Sequence, residues 1–77
     1  MGTIQNVTVR QFRAFMEANG LQYVGTTGGH EKWIKAGMRR PAIIQTHISP
    51  IPEHVLRSNL LTMGLTRQDL ISFLQNK

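Results

Sequence analysis

The stretch Gly25-Thr26-Thr27-Gly28-Gly29-His30 places the residue types that can do chemistry at a useful spacing. Three glycines in six residues let the backbone approach a phosphate with no Cβ in the way. His30 closes the stretch, and histidine is the side chain whose ordinary pKa permits proton transfer in both directions near neutrality. Four of the nine basic residues, Lys32, Lys35, Arg39 and Arg40, follow within ten positions. A titratable ring beside a positive field points to phosphate chemistry. His30 could take the proton of a ribose 2′-hydroxyl or protonate a leaving oxygen, help worth roughly 10²–10⁴-fold. Taken by itself, the residue is better read as a histidine that hydrogen-bonds in a tight turn.

The neighbours carry similar choices. Gly28 and Gly29 either aim amide N–H groups at an anion, as a backbone nest does, or simply turn the chain between two strands. Lys32 and Lys35 are expected to neutralise RNA phosphates and give a salt-sensitive affinity. Arg39 and Arg40 fall in a turn, where phosphate contact and plain solvation are evenly matched. Gly25-Thr26-Thr27-Gly28 satisfies the GxxG of KH domains, but strands rather than helices flank it here. No Gly-Lys-Ser/Thr follows, which excludes a P-loop. His47 and His54 could join His30 on zinc, yet no carboxylate and no HxH spacing supports that. His54 reads as a surface residue, and Arg57 as a partner for Glu53 one turn earlier. Trp33 reads as core rather than as a base-stacking platform.

Composition narrows the classes. A chain of 77 residues makes one domain, 1–77, because so short a chain buries only about 60–65% of its surface. Nine Lys and Arg against four Asp and Glu give a formal charge of +5, which favours an anionic partner. With no cysteine there is neither a disulfide framework nor a thiolate zinc site, and a cytoplasmic location is expected. Residues 1–6 lack the apolar core of a secretory signal and end in Asn6 where a myristoylation signal wants Ser or Thr. No apolar run approaches a membrane span. The chain therefore reads as soluble and intracellular.

Periodicity supplies the elements. Thr8 and Gln11 form a capping box with Val7 and Phe12 placed as a staple, and Asn19-Gly20 closes a helix over 9–19. Strands are expected over 21–25, 31–36 and 42–48, the last two joined by a five-residue turn as an antiparallel hairpin. Pro52 opens a second helix that Gly64 ends, and Thr66 to Asp69 starts a third. Helix, three strands, helix, helix makes an α+β fold, a three-stranded antiparallel sheet with helices on one face. That order resembles the double-stranded-RNA-binding domain. Alternation puts Glu31, Trp33 and Lys35 on one sheet face and His30, Lys32 and Ile34 on the other, unless a bulge reverses it.

Over nearly its whole length the chain resembles the HicA-type toxins, the ribonuclease half of bacterial toxin–antitoxin pairs. The residues that carry the resemblance are Gly28-Gly29-His30, the aromatic Trp33, His47 after the third strand, Val55-Leu56-Arg57-Ser58-Asn59-Leu60, and Gly64-Leu65. Gly29 stands where the family has serine, Thr27 where a cation is common, and Thr46 where a proline precedes the second histidine. The resemblance implies metal-independent endonucleolytic cleavage of mRNA, with His30 as general acid/base, no cofactor, and His47 lining the site. It also implies neutralisation by a HicB-type antitoxin that covers the active site. Beside it the same sheet suits a non-catalytic RNA-binding or protein-docking module, which needs the basic strand but no titratable ring.

Overall fold

The computed structural model describes residues 6–76, so the N-terminal reading above falls almost wholly outside the described residues. Helix α1 spans Val9–Ala18, followed by strands β1 (Gln22–Thr27), β2 (His30–Ile34) and β3 (Ala42–Gln45), then helices α2 (Glu53–Met63) and α3 (Arg67–Gln75). The three strands form one antiparallel sheet in the order β1-β2-β3. The expected α+β order is therefore the observed one.

Local chemistry explains where the helices start. At α1 the Thr8 hydroxyl accepts from the Gln11 N–H while the Gln11 side chain accepts from the Thr8 N–H. An equivalent reciprocal pair, Thr66 with Asp69, opens α3. Each satisfies two of the donors that every helix N-terminus leaves unpaired. Pro52 is the residue before α2 rather than its first member, and Gly64 ends that helix at φ 73°.

Strand boundaries depart further from expectation. β1 runs to Thr27 instead of stopping at Gly25, because Thr26 and Thr27 pair with Glu31 and His30. The flexible loop expected over 25–30 thus shrinks to Gly28 and Gly29, at φ 57° and 81°. Positive φ at both central residues is what a two-residue hairpin turn of the primed type requires. β3 ends at Gln45, and Thr46-His47 turn away from it.

Register fixes the two faces of the sheet. A bulge between Tyr23 and Gly25 lies in β1, so the alternation of β2 is undisturbed. Glu31, Trp33, Ala42 and Ile44 face inward and are buried. His30 is exposed and Lys32 and Ile34 are half-buried; His30 and Lys32 pair across to the exposed Gln45 and Ile43 of β3 on the outer face.

The core lies between the inner face and the helices. Phe12, Phe15 and Met16 of α1, Leu56 of α2 and Leu70 of α3 are all 0–1% exposed and form one cluster with Ile44. Phe15 sits at its centre, with ring centroids 5.8 Å from Phe12 and 5.5 Å from Phe73. Burial of such side chains, at roughly 25 cal/mol per Å² of apolar surface, is the main force holding a domain of this size.

One charged group sits inside this packing. Glu31 is 3% exposed, and its carboxylate accepts from the Arg13 guanidinium and, at 3.1 Å, from the Trp33 indole N–H. The Arg13 bond holds the Glu31 carboxyl below the usual carboxylate range; burial pushes the other way, and the Trp33 bond adds to the lowering. A depressed carboxyl contributes stability that is complete above its unfolded pKa of about 4.3 and lost as pH falls through the folded value. The melting temperature of the wild type should therefore fall below about pH 4.3, and Glu31→Gln should be less stable at pH 7 with a flatter acid limb. Melts recorded from pH 7 to pH 3 check both; parallel acid limbs would show that this ion pair does not set the acid response.

Candidate functional site

His30 is the first residue of β2, directly after the Gly28-Gly29 turn. Its Nε2 lies 3.2 Å from the Gln45 side-chain nitrogen on the paired strand. The amide nitrogen can only donate, so in this pairing Nε2 of the ring is the acceptor. The imidazole is therefore exposed yet oriented from across the sheet.

The turn that carries His30 is itself tied down. Thr46 N–H donates to the Gly29 carbonyl at 2.9 Å, which fastens the β1–β2 turn to the end of β3. A Cβ on Gly29 would lie 3.4 Å from Cδ2 of His47. The imidazole of His47 thus rests against the turn, in the space a side chain at position 29 would crowd. Position 29 holds φ 81°, a backbone conformation that glycine adopts without the cost a side chain would bring.

The segment after His47 builds a wall beside the site. Ile51 N–H donates to the Val7 carbonyl at 2.8 Å, and Val9 N–H to the Ser49 hydroxyl at 3.3 Å. These bonds pin the segment to the start of α1. Ile48, Ile51 and Pro52 then face Ile43, Gln45, His54 and Val55 around a groove of about 340 Å³ with His30 at its edge.

Ile43, His54 and Val55 also line a second groove of about 330 Å³, which continues along α2 past Ser58 and Thr62 to Arg40. Arg39 joins beyond it, where Arg39, Arg40, Ser58 and Thr62 border a further hollow. One track therefore runs from His30 between β3 and α2 to the two arginines. Asn59 ties α2 to β3 beside the track: its side chain accepts from the Ile43 N–H at 2.9 Å and donates to the Ile43 carbonyl at 2.8 Å. In effect, the amide of α2 pairs with the sheet edge as another strand would.

The expected site residues thus fall into two groups. His30, Gly28, Gly29 and Lys32 share the outer face or its turn, His47 lies against Gly29, and Arg39 and Arg40 lie at the far end of the track. Lys35 does not join them. Its ammonium donates to the Asn19 carbonyl at 3.2 Å, on the side of α1, where a cation satisfies a free carbonyl at a helix C-terminus. Arg57 is exposed, and the carboxylate of Glu53 approaches Arg67 at 3.8 Å rather than Arg57. Trp33 is core, as its strand parity implied.

His54 is exposed, as expected from the sequence, and lines the groove beside His30. The bonds of Asn59 to Ile43 had no signal in the sequence, because only the packing of α2 against β3 creates them. Among the described residues no three His, Asp or Glu side chains converge as metal ligands, and no helix is long and apolar enough to cross a membrane. No protein-family model, curated protein or solved structure matches this chain.

Proposed function

We propose that this chain is a HicA-type toxin, an endoribonuclease that cleaves mRNA by proton transfer through His30. The observation that carries the reading is the placement of that imidazole: exposed on the outer sheet face, oriented by Gln45, and beside a groove with apolar walls. An incoming ribose displaces the amide from Nε2, and the freed nitrogen takes the 2′-hydroxyl proton. The 2′-oxygen then attacks the adjacent phosphorus. Lys32, on the same face, counters the charge that builds on the phosphoryl oxygens. Arg39 and Arg40 hold phosphates farther along the strand. The excess of cations over acids suits both the RNA and a HicB-type antitoxin that presents acidic groups to the same face. The site of action on this reading is the cytoplasm.

The experiment uses purified protein, excess chelator and an RNA oligonucleotide spanning a cleavage site mapped on bulk RNA. Cutting should persist in chelator and stop when the 2′-hydroxyl at the cleaved position is replaced by hydrogen. Continued cutting of the 2′-deoxy site would require a water nucleophile and overturn the mechanism. Tight RNA binding without cutting would favour the non-catalytic module instead.

A further inference from the structure

We propose that His54 is the second proton-transfer residue of the site, protonating the leaving 5′-oxygen while His30 receives the 2′-hydroxyl proton. This role rests on the nuclease reading above. His30 comes from β2 and His54 from the first turn of α2, and both line the one groove of about 340 Å³. Ile43, Ile51 and Val55 supply apolar wall to that groove, and Gln45 already orients His30.

The chemistry asks for two groups. In-line displacement at phosphorus puts the attacking oxygen and the leaving oxygen on opposite sides, so one imidazole cannot serve both ends of a single step. Two rings on different elements can. The bond formed is 2′-oxygen to phosphorus, and the bond broken is phosphorus to 5′-oxygen. His30 gains the proton that the hydroxyl loses, and a protonated His54 gives its own to the departing oxygen. The products are a 2′,3′-cyclic phosphate and a free 5′-hydroxyl, after which solvent exchanges protons with both rings.

The track supports this assignment. His54 also lines the groove leading to Arg40, which places the departing strand on the α2 side and its next phosphate toward a cation. The charged groups around His54 are Glu53 and Arg57 on its own helix, Arg40 from the β2–β3 connection, and His30 across the groove.

The test compares His54→Ala, His54→Gln and His30→Ala on two oligonucleotides, one all-oxygen and one with sulfur bridging phosphorus to the 5′-carbon at the scissile position. A thiolate leaves without a proton. His54→Ala and His54→Gln should cut the oxygen substrate roughly 10²-fold or more slowly, yet cut the sulfur substrate near the wild-type rate. His30→Ala should be slow on both. Equal slowing of the His54 variants on both substrates, or none on either, overturns the role of His54 and leaves the nuclease reading standing. A wild type that cuts neither overturns the nuclease reading and this role together. Thermal melts of the variants confirm that the exposed position leaves the fold intact.

Discussion

On the nuclease reading, expression of the wild type should arrest growth and expression of His30→Ala should not, and the variant should still bind RNA. The expected loss in cleavage rate is roughly 10²–10⁴-fold, the usual contribution of a general acid or base. Nothing in the packing should change, because His30 is exposed and its one side-chain partner among the described residues is Gln45. Exposed substitutions of this kind shift stability by only about 0.5 kcal/mol. A melting temperature close to that of the wild type would therefore separate lost chemistry from lost fold. On the same reading, the antitoxin should bind the variant as it binds the wild type. Undiminished toxicity would remove His30 from the mechanism.

The largest structural effect should come from Phe15→Ala. Phe15 is 1% exposed and joins α1 to α3 through its contact with Phe73, besides stacking against Phe12 within α1. Truncating a buried phenylalanine costs roughly 3–5 kcal/mol, part lost transfer energy and part cavity. A chain of this length has a total stability of roughly 4–12 kcal/mol at the usual value per residue. One substitution thus consumes a large fraction of the whole, and the melting temperature should drop by more than about 10 °C. Replacing the half-buried Phe73 should cost less, since α3 can close around part of the space. Calorimetry of the two variants checks the order. A Phe15 variant as stable as the wild type would mean that the cluster around Phe15 does not hold the helices together.

These two residues mark how far the chain can be read without its fold. Phe15 was legible as core because helical spacing from Val9 through Met16 is a local signal, and the capping boxes at Thr8 and Thr66 bounded their helices just as locally. The face of His30 was legible too, since alternation along β2 survives when the bulge lies in β1. What sequence could not supply was anything set by one element meeting another. β1 extends through Thr27 because β2 pairs with it, not because Gly-Thr-Thr favours a strand. Lys35 looks like an RNA contact along the chain, but its ammonium caps α1 in space. His54 is surface in the fold as in the sequence, but only the packing of α2 along β3 puts it on a groove with His30, and the same packing turns Asn59 into a substitute strand for Ile43. Gly29 reads in sequence only as part of a flexible loop; in the fold it holds φ 81° in a two-residue turn, with the His47 ring beside it.

Whether His30 moves the proton is decided by the single-turnover cleavage rates of purified wild type and His30→Ala on one RNA oligonucleotide in excess chelator. Measurable cutting by the wild type is expected, with a rate lower by at least about 10²-fold for the variant and both chains equally folded. Equal rates for the two proteins would contradict this role of His30.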